Sequence, residues 1–235
     1  MDASKSVVLL APSTHPHSPL ATGFFVTGPL GDSFLVTAGH ALSRLTFQYH
    51  LELGRSPLVA ICNPPQGPAH SMLLPCNWFS HKDTDVAVLP CPLWPHLDIS
   101  PLPFSSLPVC PSLNFPFSAR LLGPSLTSII LRLSYFKRRF NPTSRKGALL
   151  KLEHGLPLPS WPSFPHRLIP EAYLSTFASI PGHSGSPVLA GSEENPVLLG
   201  LVIGTFGPEV RLQTVVVPAF RIREAILQAS AARAA

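Results

Sequence analysis

Pro181-Gly182-His183-Ser184-Gly185-Ser186-Pro187 decides how this chain is read. A serine sits between two glycines at a tight turn, and short apolar runs lie nearby. Glycine lets a backbone pass close to a substrate and adopt torsions other residues resist. A nucleophilic serine needs that setting if neighbouring backbone N–H groups are to receive an oxyanion. By itself the stretch is also compatible with a plain glycine-serine loop.

Two further stretches bear on the choice. Phe34-Leu35-Val36-Thr37-Ala38-Gly39-His40 is a β-prone run that ends at a histidine among small residues. Thr84-Asp85-Val86-Ala87-Val88-Leu89 is an aspartate opening a short apolar strand. Serine hydrolysis needs a base to take the hydroxyl proton and a carboxylate to orient that base. The chain order His, Asp, Ser is one of the known solutions to that geometry. Each residue has a structural alternative. His40 suits a buried histidine bonded to a carbonyl, Asp85 a strand-entry turn, with Asp83 as its nearest rival, and Ser184 an ordinary turn.

Together these motifs resemble those of the chymotrypsin/trypsin-like serine peptidases. Val-Thr-Ala-Gly-His is similar to that family's histidine motif, Asp-Val-Ala-Val-Leu to its aspartate motif, and Gly-His-Ser-Gly-Ser-Pro to its serine motif. Leu199-Gly200-Leu201-Val202-Ile203-Gly204 is similar to the strand that lines the family's cleft, and the resemblance runs from about Ala21 to about Ile226. It implies an all-β fold of two packed six-stranded antiparallel barrels with a cleft between them. It makes His40 general base and then general acid, Asp85 the orienting carboxylate and Ser184 the nucleophile. The N–H groups of Gly182 and Ser184 would form the oxyanion hole.

The chain departs from the digestive members of the family at two places. His183 stands where they carry the aspartate that pairs with a new N-terminus after zymogen cleavage, so that activation route is not expected. Ser186 replaces their second glycine. In both respects the chain is nearer to high-temperature-requirement-type and viral members. The residue six before the serine, Ala178, would lie at the base of the primary pocket, flanked by Gly204 and Thr205. Without a carboxylate at Ala178, the pocket suits a small or medium apolar side chain before the scissile bond, since it cannot offset the desolvation of a cation.

Composition agrees with a β-rich fold. The chain has 235 residues, 45% of them hydrophobic, 12% charged and 29 of them proline. That is room for one compact unit or two smaller ones, and the low charge excludes a disordered tail. Proline interrupts long helices and central strands, which favours many short strands. Strands are expected at Gly23–Val26, Ser33–Ala38, Leu58–Cys62, Val86–Pro90, Ser128–Leu133, Tyr173–Ala178, Val197–Ile203 and Gln213–Val217. Ser105–Phe117, with Pro108, Pro111 and Pro116, reads as the link between residues 1–110 and 111–235. Ala219–Ala232 reads as an amphipathic C-terminal helix packed on the second barrel.

Cysteines stand at 62, 76, 91 and 110, none bracketing Ser184. No apolar run is long enough to span a membrane, and Val7–Ala11 after Lys5 is short for a signal peptide. A reducing, intracellular and most simply cytoplasmic setting is expected, the host cytoplasm if the chain is viral. The cysteines with His70 or His81 are an alternative zinc set, but there is no C-x-x-C pair and buried free thiols are the simpler expectation. No metal or organic cofactor is implied. The net charge is +5, and Arg132, Lys137, Arg138, Arg139, Arg145, Lys146 and Lys151 fall within twenty residues without an acid. This segment is either a solvated basic face or a docking patch for nucleic acid, an anionic membrane or an acidic partner, and Tyr135, Phe136 and Phe140 interleave with it. Leu156–Pro162 reads as a stiff polyproline-like connection. The expected function is serine endopeptidase acting on protein or peptide substrates. The alternatives are a catalytically silent protease-like scaffold and a binder of nucleic acid or anionic surfaces.

Overall fold

The computed structural model describes residues 2–16, 19–42, 58–75, 77–81, 83–109, 113–124, 140–157, 168–207 and 213–234. Two sheets account for most of them. The first contains β1 (Val7–Pro12), β2 (Ala21–Thr27), β3 (Ser33–Ala38), β4 (Leu58–Cys62), β5 (His70–Leu73), β6 (Phe79–Ser80) and β7 (Val86–Pro90). Its order is β5-β4-β1-β2-β3-β7-β6. The second contains β8 (Phe117–Gly123), β9 (Thr143–Pro157), β10 (Leu168–Ser175), β11 (Pro187–Gly191), β12 (Pro196–Phe206) and β13 (Gln213–Pro218). It closes into a six-stranded barrel. Neighbouring strands run antiparallel in both sheets.

The expected all-β architecture is therefore present, with one difference in its first half. Among the described residues that sheet has seven strands rather than six, and its order runs between the exposed β5 and the two-residue β6 instead of closing into a barrel. Short edge strands leave few unpaired backbone groups for another chain to join.

The interior strands are apolar because both their faces are covered. β1, β2 and β3 are buried almost throughout. In the barrel, successive side chains point to opposite faces. Val216 joins a cluster with Leu121, Leu149, Tyr173, Val188 and Val202. Its neighbours Val215 and Val217 pack instead into the main core, with residues of the first sheet and the C-terminal helix. That helix spans Ala219–Ala234. It buries Ala219, Ile222, Ala225, Ile226 and Ala229, a stripe at helical spacing, against β7, β12 and β13. The expectation that it rests on the second barrel alone is thus too narrow, since it also packs on the first sheet.

Candidate active site

The β3–β7 register brings the histidine and the aspartate together. Ala38 pairs with Val86, so the residues just after β3 lie beside the residue just before β7. The Gly39 N–H donates to the Asp85 carbonyl at 3.0 Å. A Cβ at Gly39 would come within 3.1 Å of Asp85 Oδ1, so a glycine there leaves the carboxylate room. The His40 backbone N–H donates to Asp85 Oδ1 at 2.7 Å, and the His40 ring Nδ1 donates to Asp85 Oδ2. Both carboxylate oxygens are thereby engaged. With a proton on Nδ1, the other ring nitrogen is an acceptor. It lies 2.9 Å from Ser184 Oγ. His40 and Asp85 are buried, whereas Ser184 is partly open and Asp83, the alternative carboxylate, is exposed.

The serine turn is clamped between the two sheets. From β2, the Thr22 N–H donates to the Ser184 carbonyl at 2.9 Å, and Thr22 Oγ1 donates to the Gly182 carbonyl at 2.6 Å. From β12, the Val202 carbonyl accepts from the Gly185 N–H at 2.7 Å, and the Val202 N–H donates to the Ser186 carbonyl at 2.9 Å. Gly185 has φ of 87°, and a Cβ there would lie 2.0 Å from the Thr22 carbonyl oxygen. Only glycine fits so close to the neighbouring strand.

The turn before the serine is fixed by its own residues. The His183 N–H donates to the Ile180 carbonyl at 3.0 Å, with Pro181 and Gly182 between them and Gly182 at φ 93°. Proline second and a positive-φ glycine third is the pattern of a type II turn. The fully buried His183 ring accepts the Ile180 N–H on Nδ1 at 3.3 Å and donates from Nε2 to the Pro124 carbonyl at 3.0 Å. Burial pushes its pKa below the ordinary histidine value, and the Arg145 cation acts in the same direction against the bond to Pro124.

Ala178 is exposed, three residues past the buried Tyr173–Ser175 end of β10 and beside Phe177. The Phe177 carbonyl accepts from Thr214 Oγ1 at 2.6 Å, and Thr214 pairs with Thr205. A register shift between Val202 and Gly204 precedes that pair. Ala178, Gly204 and Thr205 thus belong to adjoining segments at one end of the barrel. The Arg145 guanidinium on β9 donates to the Ala178 carbonyl at 3.1 Å. The sequence placed Arg145 in a basic patch facing outward. Instead it is partly buried and engages Ala178, while Lys146 is exposed. Arg132, Lys137, Arg138 and Arg139 lie outside the described residues.

Thr22, Arg145 and the Pro124 carbonyl were not singled out as site residues from the sequence. Their partners are backbone groups distant along the chain, and such pairings leave no local motif. Among the described residues no group of three or more His, Cys, Asp or Glu is placed to hold a metal. Cys62 and Cys91 are free and buried, while Cys76 and Cys110 lie outside the described residues. No described helix is long and apolar enough to cross a membrane.

No protein-family model matches the chain, and no curated protein sequence matches it. Solved structures do. The MamO protease domain from Magnetospirillum magneticum, in its apo form, aligns with a TM-score of 0.65 and 15% identity over 95% of this chain and 96% of that one. A serine-to-alanine mutant of Rv3671c from M. tuberculosis H37Rv, in an inactive form, aligns with a TM-score of 0.57 and 16% identity over 97% and 88%. The Rv3671c protease in its inactive form gives 0.57 and 18% over 96% and 89%. At these identities the likeness is one of fold. The chain has the chymotrypsin-like fold that these protease domains share.

Proposed function

We propose that this chain is a serine endopeptidase of the chymotrypsin-like clan, with His40, Asp85 and Ser184 as its triad. The observation that carries the reading is the continuous chain of bonds from Asp85 through both nitrogens of His40 to Ser184 Oγ, which His40 Nε2 meets at 2.9 Å. As Oγ attacks a peptide carbonyl, Nε2 takes its proton. Asp85 holds the tautomer and stabilises the imidazolium. The oxyanion is received by the N–H groups of Gly182 and Ser184. His40 then protonates the departing amine, and water, activated by the same nitrogen, releases the acyl group. In this reading residues 1–110 bring base and carboxylate, residues 111–235 bring the nucleophile, and no cofactor is needed.

The side chain before the scissile bond is small or medium, uncharged and apolar. The base at Ala178 offers no carboxylate, and the Arg145 guanidinium on its carbonyl would repel a substrate lysine or arginine. The free buried thiols of Cys62 and Cys91 support a reducing, intracellular setting.

A fluorophosphonate probe tests the reading by phosphonylating an activated serine. Wild type should label strongly, while Ser184→Ala and His40→Ala should not. Asp85→Asn should reduce the labelling rate on the order of 10⁴-fold. A folded wild type that does not label would point to a silent scaffold and sink the proposal.

A further inference from the structure

The triad uses His40, yet a second histidine is sealed beneath the nucleophile with both ring nitrogens engaged. His183 is fully buried. Its backbone N–H donates to the Ile180 carbonyl, and its ring Nδ1 accepts from the Ile180 N–H. These two bonds close a ring over Pro181 and Gly182. Their shared peptide carries the Gly182 N–H assigned above to the oxyanion hole. Nε2 then ties that ring to the Pro124 carbonyl just beyond β8. On the far side, Thr22 Oγ1 holds the Gly182 carbonyl.

We propose that His183 is a positioning residue. Its neutral Nε2–H tautomer, held between the Ile180 amide and the Pro124 carbonyl, locks the Pro181–Gly182 peptide with its N–H directed to the oxyanion. The inference rests on the endopeptidase reading. It adds that the turn is held by a side chain of its own rather than by a charge delivered from elsewhere.

The chemistry demands a neutral ring. Nδ1 can accept from Ile180 only while it carries no proton, and an imidazolium would set two N–H groups against each other. The charged group facing the ring is Arg145 of β9, which itself grips the Ala178 carbonyl and disfavours a second positive charge. Pro124 after β8 and the uncharged Gly123 and Ser186 border it on other sides.

The test measures fluorophosphonate labelling rates for wild type, Ser184→Ala, His183→Ala and His183→Asn, with thermal melts alongside. The Asn carboxamide oxygen lies near the position of Nδ1 and can accept from Ile180, so this variant keeps the ring over Pro181 and Gly182. His183→Ala should lose about 10²-fold in rate, the scale of one oxyanion donor, and His183→Asn should recover at least tenfold of it. Labelling of His183→Ala within threefold of wild type, or a folded His183→Asn that recovers none of the loss, would overturn the proposal while leaving the endopeptidase reading intact. A folded wild type that does not label overturns both. Should His183→Ala fail to fold, His183→Leu, close in shape to Asn but unable to accept from the Ile180 N–H, takes its place, and labelling within threefold of His183→Asn would overturn the proposal.

Discussion

Ser186 and Gly123 occupy one space between them. Ser186 stands where digestive members of the resembled family carry glycine, it is fully buried, and its hydroxyl has no hydrogen-bond partner among the described residues. Its room comes from the end of β8, where a Cβ on Gly123 would lie 2.7 Å from Ser186 Oγ and 3.1 Å from His183 Cδ2. Gly123→Ala should therefore destabilise by roughly 1–3 kcal/mol through overpacking. Ser186→Gly in the same chain should recover part of that loss, a coupling visible in a double-mutant cycle of urea midpoints. Strict additivity of the two changes would refute the shared-space account. The compensation is invisible in the sequence, because a glycine 63 positions away carries no mark of its partner. The candidate triad was legible for the opposite reason. Its chemistry restricts each position to very few residue types, and each stands in a recognisable local setting. Sequence left Asp83 and Asp85 as rivals, whereas the β3–β7 register sets Asp85 against His40 and leaves Asp83 exposed.

Among the elements, the strands read correctly are short apolar runs, whereas β1, equally apolar and buried, and β5, β6, β8 and β11 were not among the expected strands. β3, β4 and β7 fall where expected, and β2, β12 and β13 extend the expected runs at one or both ends. β10 begins earlier and ends at Ser175 rather than Ala178, and the Ser128–Leu133 run lies outside the described residues. β9 is the instructive miss. Its fifteen residues carry Arg145, Lys146, Lys151 and Glu153, and only Leu149 and Leu156 are buried. A strand so polar reads as a loop, and its C-terminal end reads as a polyproline connection. It is a strand because it serves two partners, pairing with β8 over Thr143–Leu149 and with β10 from Leu149 onward. Backbone pairing on both sides, not apolar patterning, holds it. The C-terminal helix shows the converse, since its stripe was legible but not the surface it covers. Ile222 is fully buried, while Leu227 is 42% exposed. Ile222→Ala should cost about 2–5 kcal/mol, and Leu227→Ala should stay within about 0.5 kcal/mol of wild type. Equal shifts in urea midpoint would mean that the helix is not docked as described.

At the scale of the whole molecule, one core runs through both halves. It joins Leu9, Phe24 and Val88 of the first sheet to Leu174, Leu201 and Val217 of the barrel and to Ile222 and Ile226 of the helix. Across the same boundary, Thr22 holds the serine turn. The candidate site therefore exists only while both halves are docked, and whatever weakens the core weakens the site with it. Two buried histidines make that stability depend on pH. Burial lowers the pKa of His183 and of His81; Arg145 assists at the first, while Glu224 and Asp83 partly oppose it at the second. In the unfolded chain both return to the ordinary histidine value near 6.5. Below that value the unfolded state binds protons that the folded state refuses, so stability falls as pH drops. It is fully present above the unfolded value and is lost from there down toward the two lowered ones. Each histidine can contribute a slope of at most about 1.4 kcal/mol per pH unit in that window. Urea midpoints should be flat from pH 8 to 7 and decline between pH 6.5 and 5. The decline should be shallower in His183→Asn, whose side chain has no proton to gain. A midpoint that holds steady down to pH 5, or a decline equally steep in His183→Asn, would show that His183 does not refuse its proton in the folded chain.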